Sequence, residues 1–420
     1  MSNFLKIRLK SGALQFAIYT SAIVALLLLG LILYVHTFKT LKQNTTISID
    51  NIKATNLGFF EALKNNEISG DTLLLSNLSD KNQKVQIVNS IWGIFQKADV
   101  ISKNRNKSFY KSAFIGSGSN EKGRVTLYLK NNFKPLIVVG NTKIEGEVMI
   151  PEQGVQSGYI AGNGYFGDQL IYGRVNNSST ELPKLNILLL SSLDNMLNSN
   201  NNFVSNFEFQ ENGKMVNSFQ STTKVFNQKE PIVLTQEISG NFIIKSETSI
   251  RVTSASKLKD IILIAPEISI EDGVSGNFQA IANNKMEVGK KVQLSYPSAL
   301  VINNDEKLIE SEGSLCVQEF SSIRGFILYK TKKDLSNSFQ THVKIAENVK
   351  IMGDVYCEGN LELKGSVWGS IYTHQFVSNT AGTIFINHLY NAKISSKDFP
   401  IDFSGILIDN QSKNIMKWLY

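Results

Sequence analysis

Residues 260–294 read DIILIAPEISIEDGVSGNFQAIANNKMEVGKKVQL. Five short runs (IILIA, ISI, FQAIA, MEV, VQL) are separated by Pro-Glu, Asp-Gly, Asn-Asn and Gly-Lys, pairs that favour turns. No gap accommodates a crossover helix, so strands of three to five residues have to stack on the next coil of chain. That is the pattern of a parallel β-helix.

A second series lies towards the C-terminus. Ile/Leu-x-Gly-x-Val occurs at 351–355 and 363–367, a spacing of twelve residues, and also at 144–148. Alternation sends Ile351, Val355, Leu363, Val367 and Ile371 to one face, the expected solenoid core, and puts Trp368 on the other. Glycine marks the positions where backbone turns or approaches closely, and each coil buries its core only by stacking.

Upstream, from about Val85, short alternating runs continue through KVQIV, RVTLYL, LIVVG and residues 143–150. LNILLLSSLDNML at 185–197 is the one helical interruption, and NSNNN at 198–202 reads as a loop where a domain boundary falls. Residues 41–63 read as an amphipathic helix with Ile49, Ile52, Asn56, Phe59/Phe60 and Leu63 on its apolar stripe, ended by Gly70-Asp71.

The N-terminus carries the uncharged run ALQFAIYTSAIVALLLLGLILYV at 13–35, between Lys6, Arg8, Lys10 and Lys39, Lys42. At ~1.5 Å per residue it reaches about 34 Å, enough to cross a hydrocarbon core of about 30 Å. A cleavable signal peptide has an apolar core of only about 7–15 residues ending in a small-residue cleavage site, which this run lacks. Ala13, Ile18, Leu28, Leu29 and Val35 are therefore expected to sit in a lipid bilayer as an anchor. Three basic residues before the helix against two after it place the amino terminus in the cytoplasm and the remainder outside.

Composition is that of a folded protein, with 42% hydrophobic and 19% charged residues. The net charge of +7 comes from scattered lysines. The densest cluster, Lys103, Arg105, Lys107 and Lys111 around Phe109 and Tyr110, is one short patch without an extended basic stripe, so it reads as a solvated hairpin tip and no nucleic-acid partner is expected. Cys316 and Cys357 lack CxxC spacing. With coils of about 20 residues they fall about two rungs apart, beyond disulfide reach, so free thiols are expected unless residues 330–340 loop out of the stack.

Candidate chemistry is sparse. Gly162-Asn-Gly164-Tyr-Phe-Gly167 fits GxGxxG, but DQLIYGRV at 168–175 cannot open the helix a dinucleotide site needs, so this is a Gly-rich turn. His36, His342, His374 and His388 form no metal-binding spacing, and no GxSxG elbow occurs. The best enzymatic idea is a β-helix polysaccharide lyase or hydrolase using Glu267, Ser269 and Glu271 on one solvent face. Alternating acid and Ile is also what any half-buried strand shows, so no catalytic residue, cofactor or metal is assigned.

The Gly-x-Val ladder from Val349 to Ile371 resembles the bactofilin-type, polymer-forming β-solenoids, and residues 250–302 resemble right-handed β-helix coils. Bactofilins are compact single solenoids, whereas this chain has a large preceding domain. Ser11-Gly12-Ala13-Leu14 before the apolar run, with Asn51, Leu57 and Phe60-Glu61-Ala62-Leu63 after it, is more weakly similar to minor pilins and pseudopilins. That likeness implies cleavage after Gly12; the glutamate usual five residues later is replaced by Ala17.

The expected molecule is mainly β. It has a cytoplasmic segment (1–12), a transmembrane anchor (13–35), an amphipathic helix and linker (36–69), a β-rich domain (70–200) and a parallel β-helix (201–420). The expected function is that of a non-enzymatic, single-pass envelope protein, a scaffold or minor-pilin-like subunit whose partners are the bilayer and other envelope or pilus-like assembly proteins, or further copies of itself. The alternative is a membrane-tethered β-helix carbohydrate-active enzyme or glycan-binding adhesin, with polysaccharide as partner.

Overall fold

The computed structural model describes residues 11–64, 72–75, 83–118, 124–197, 205–208, 213–304, 313–332, 339–380, 382–397, 399–400, 402–409 and 411–420. The Gly70-Asp71 break, the 198–202 loop and the centre of the 330–340 insertion lie outside these residues, as does most of the 1–12 segment. The chain is mainly β, with one long apolar helix at its N-terminal end. Two compact units divide it, Met1–Gly58 with Leu73–Gln86 and Val100–Tyr110, and Phe59–Thr72 with Ile87–Asp99 and Lys111–Tyr420.

Helix α1 (Ser11–Lys64) runs unbroken for 54 residues and is long and apolar enough to cross a membrane. Ala13, Ile18, Leu28, Leu29 and Val35 are all exposed on it. Its C-terminal part buries Asn51, Ala54, Thr55, Gly58, Phe59 and Ala62, while Ile49 and Ile52 stay exposed. The expected stripe is therefore wrong by a rotation about the helix, and only Phe59 belongs to both. Small side chains stand at Ala54 and Gly58 on this buried side, and Asn51 supplies polar contacts. Its Nδ2 donates to the Lys107 carbonyl (3.1 Å) and its Oδ1 accepts from Ser102 Oγ (3.0 Å). Gln83 Nε2 donates to the Asp50 carbonyl (3.0 Å).

Strands β1 (Thr72–Leu75), β2 (Gln83–Trp92), β3 (Phe95–Asn104) and β4 (Lys107–Ser117) lie in that order in one sheet, completed by Lys413–Trp418 antiparallel to β4. The Lys103–Lys107 cluster sits at the β3–β4 hairpin, whose turn is Arg105-Asn106 with Arg105 at φ +52°.

The second sheet is closed and solenoid-like, with parallel strands paired at successive steps along the chain. It contains β5 (Val125–Leu129), β6 (Glu237–Ser246), β7 (Lys257–Ile270), β8 (Ser275–Val288), β9 (Gln293–Asn304), β10 (Ser322–Thr331), β11 (Lys350–Leu363) and β12 (Ser366–Thr380). Asp272-Gly273 is a turn as expected, but Pro266-Glu267 and Asn283-Asn284 are not. β7 and β8 run through those points with a register shift at Ala265/Glu267. A bulge bends a strand without ending its pairing, so two expected strands become one long one.

The twelve-residue repeat is not the coil period. Ile351, Gly353 and Val355 pair with Val367, Gly369 and Ile371, sixteen residues on, and with Ile323, Gly325 and Ile327 behind. Leu363 pairs instead with Ile345, on another side of the stack. The glycines stack at φ +142°, +148° and +140°, and a Cβ on Gly353 would sit 1.9 Å from the Gly325 carbonyl oxygen.

Residue 200 separates chain segments that share this sheet. β5 pairs with β12 (Ile371↔Leu127), Lys143–Glu145 pairs with Lys393–Ser395, and Glu147–Ile150 pairs with β5. The stack thus runs from residue 214 to 395 and continues through 125–177. Helix α2 (Ile187–Leu197) lies in the connection between its two ends and buries Leu189, Leu193 and Met196.

Two apolar layers result. The interior of the stack holds Leu127, Ile144, Ile268, Val317, Ile351 and Val367 among others. A second layer coats the outside of one face, where Ile262, Ile281, Val301 and Leu328 meet α2, Trp92, Phe95 and Phe114.

Candidate functional site

Each rung contributes a short alternating segment before its glycine corner, and the register of these segments builds two outward columns. The first runs Lys214, Glu237, Lys257, then Ser275, Gln293, Ser322, Lys350, Ser366, Lys393, Lys143. The second contains Ser239, Lys259 and Asn277, and further along the stack Arg324, Met352, Trp368, Ser395 and Glu145. Seven cations face two carboxylates. Glu237 is held by Lys214 (2.7 Å) and Glu145 by Lys143 (2.6 Å). These hydrogen bonds pull both carboxyls below, and the Lys143 amine above, their ordinary values.

Lys257, Arg324, Lys350 and Lys393 are exposed and form no salt bridge among the described residues. Lys393 lies directly opposite Lys143, a like-charge pairing that the Glu145 carboxylate on Lys143 offsets. At one end of this face a cavity of about 560 Å³ is lined by Lys214, Glu237, Lys257, Lys259, Lys417 and Asn277 among others. Lys417 Nζ donates to buried Asp260 at 2.5 Å, and Lys259 sits 4.9 Å from the Tyr420 ring. Burial, together with the Asp260 carboxylate, pushes the Tyr420 hydroxyl up to about 12.

The other solvated face is balanced. Its columns are Ser249, Glu267, Lys285 and Arg251, Ser269, Glu287, Cys316, Lys344, Glu362. Glu267 accepts from Asn284 (2.9 Å), Arg251 lies 3.7 Å from Glu271, and Lys285 pairs with Glu287 (2.6 Å). Glu267, Ser269 and Glu271 do line one side of β7 and its following turn, interleaved with cations.

A second cavity, about 480 Å³, is lined by Lys130, Lys330, Tyr356, Glu358, His374 and Leu190 among others. Burial pushes the Glu358 carboxyl up, opposed by Lys330 at 3.9 Å and by the Thr331 N–H donating at 3.0 Å. Sequence reasoning missed this group and the basic columns alike, because both require the register.

The expected core residues Ile351, Val355, Leu363, Val367 and Ile371 are each buried, and Trp368 is half-buried on the opposite side of its strand. Gly162 lies in a turn closed by reciprocal Ile160 and Asn163 hydrogen bonds, and no helix follows Gly167. His342 is buried with Nδ1 accepting from Asn360 N (3.0 Å), and no group of three potential metal ligands exists among the described residues. Cys316 and Cys357 are both free. Cys316 is two register steps from Glu362, on the rung that carries Cys357, and Cys357 itself pairs with Tyr329 and Thr373. Comparison with protein families, curated proteins and solved structures finds no match.

Proposed function

We propose that this chain is a membrane-anchored, non-enzymatic component of a cell envelope, in which a parallel β-helix tethered by α1 serves as a scaffold or adhesive surface. The amino terminus faces the cytoplasm and the β domain lies outside. Its partners are other envelope or pilus-like assembly proteins, or further copies of the chain. The likeness to bactofilin-type solenoids and to minor pilins agrees with such a role.

One observation carries this reading. Glu145, Glu237, Glu271 and Glu287 on the solvated faces each sit beside a lysine or arginine, and Glu267 is tied to Asn284. Glycoside cleavage needs two carboxyl groups flanking one bond, one kept protonated and one ionised. Acids each neutralised by a neighbouring cation, within one strand for Glu145 and Glu287 and from a neighbouring strand for Glu237 and Glu271, favour structural cohesion over that chemistry.

The runner-up, a carbohydrate-active enzyme, rests on Glu358, whose raised proton affinity in a cavity is what a general acid requires. Mild crosslinking of the full-length protein in its native membrane, followed by purification, tests the choice. A discrete heteromeric or homomeric product is expected. A monomer that shortens a polysaccharide, and loses that activity on Glu358→Gln, would overturn the reading.

A further inference from the structure

We infer that the basic outer face of the stack binds an acidic linear polysaccharide. This deepens the proposed adhesive role by naming its ligand class, and rests on that reading for its setting.

Charge is the first ground. Seven cations against two carboxylates line the two columns through Lys257, Lys350 and Lys393, whereas the columns of the neighbouring solvated face hold equal numbers of cations and carboxylates. Lys143, Lys214 and Lys417 are already held by carboxylates, whereas Lys393, Lys350 and Arg324 towards one end of this face, and Lys257 and Lys259 at the 560 Å³ cavity, form no salt bridge among the described residues and offer charge to an anionic ligand at two places along it.

Spacing is the second. Rungs are ~4.8 Å apart. Lys350 and Lys393 are separated by Ser366, so their cations fall about 9.6 Å apart, and Ser275, Gln293 and Ser322 fill uncharged rungs between Lys257 and Lys350. A nucleic acid presents a charge about every 1.7 Å in a duplex and 3.4 Å in a single strand, far denser than this face can match. A polyuronate carries one carboxylate per sugar with hydroxyls between, so some of its carboxylates can meet the lysine rungs while the remaining carboxylates and hydroxyls meet serine and glutamine.

Trp368 is the third. It is half-buried midway in the second column, flanked along the stack by Met352 and Ser395 and beside Lys350 and Lys393 in the first. Its indole offers an apolar plate with a polar rim to the ring face of a sugar. Met352, 36% exposed, is the column's other apolar group, which leaves little to insert into a bilayer.

The test uses the full-length protein in zwitterionic nanodiscs and immobilised polygalacturonate as probe, with dextran, duplex DNA and phosphatidylserine vesicles alongside. Polygalacturonate is expected to bind in a salt-sensitive manner, dextran not at all, and DNA and vesicles more weakly at the same salt. The Lys350→Ser/Lys393→Ser variant should lose about tenfold in affinity, Trp368→Ala should weaken binding even at high salt, and Lys344→Ser on the balanced face should change nothing. Unchanged thermal unfolding confirms that the exposed lysine variants and the half-buried Trp368→Ala fold. Equal binding of dextran, tighter binding of DNA or vesicles, or an unaffected double variant would each overturn the inference. A protein that crosslinks into an assembly yet ignores polygalacturonate refutes the ligand and leaves the scaffold role, whereas cleavage of the bound polymer refutes the non-enzymatic role and leaves the ligand.

Discussion

Arg124 and Asp354, 230 residues apart in sequence, form an ion pair in which both side chains are largely buried. Arg124 Nε also donates to Ser370 Oγ (2.9 Å), and its guanidinium stacks 4.8 Å from the Phe403 ring. Asp354 Oδ2 accepts from the Ile406 N–H at 3.0 Å. The pair therefore joins the segment before β5, the β11–β12 rungs and the 402–409 segment.

Removing one partner of such a pair strands the other charge, which costs about 3–5 kcal/mol. Asp354→Ala should lower the unfolding free energy measured by denaturant titration by that amount. Glu287→Ala, which breaks the exposed pair with Lys285, should cost at most about 1 kcal/mol. Equal effects would mean that Arg124 is hydrated rather than locked.

Gly353→Ala is expected to destabilise the stack more than any other single methyl addition in β11. Its φ of +148° is strained for a side chain, and the new Cβ would overlap the Gly325 carbonyl. Gly273→Ala is the comparison. There φ is +73° but the Cβ meets open space, so only backbone strain of about 1 kcal/mol applies. Thermal unfolding of the two variants separates steric stacking from conformational cost, and similar losses would show that the ladder is loose.

The contrast between these glycines also shows how far the sequence can be read. The Ile/Val alternation around Gly353 correctly marks inward residues, because period two needs no partner to be recognised. The partner itself is invisible: 351–355 matches both 363–367 and 367–371 in pattern, and only register distinguishes them. IILIA, ALVI and FILY are continuous apolar runs, the mark of strands covered on both sides, which the outer layer around α2 explains. The basic face could not be seen because Ser322, Lys350, Ser366, Lys393 and Lys143 meet through steps of unequal length, the last against chain order. On α1, apolarity favoured Ile49 and Ile52, while the buried side carries Asn51, Ala54, Thr55 and Gly58, which no apolar pattern marks.

Glu358 gives a pH-dependent test. Burial raises its carboxyl above the ordinary 4.5, outweighing the Lys330 and Thr331 contacts. The native state thus holds this proton more tightly than the unfolded chain. Its contribution to stability is fully present below pH 4.5 and is lost as pH rises through the folded-state value. Glu358→Gln keeps an acceptor for Thr331 and removes the charge, so it should be more stable than the parent at neutral pH, with the difference vanishing in acid. A parent and variant with parallel pH profiles would show that Lys330 fully compensates the buried charge.

The unbroken course of α1 predicts that membrane retention and folding can be separated by position along one helix. Leu28 and Leu29 are exposed in the middle of its apolar part, and each arginine placed there costs about 2.5–3.5 kcal/mol on insertion. Leu28→Arg/Leu29→Arg should move the protein from the membrane to the soluble fraction or block its export, without lowering the unfolding midpoint of any protein recovered. Ala54, 2% exposed, sits one turn from Asn51 and its bond to the Lys107 carbonyl. Ala54→Leu overpacks that contact at a cost of about 1–3 kcal/mol, so it should lower the unfolding midpoint while the protein stays in the membrane. A C-terminal reporter at Tyr420, active only outside the cytoplasm, supplies the orientation in the same strains. Loss of membrane retention in Ala54→Leu, or none in the double arginine variant, would show that residues 13–35 are not what holds this chain to the bilayer.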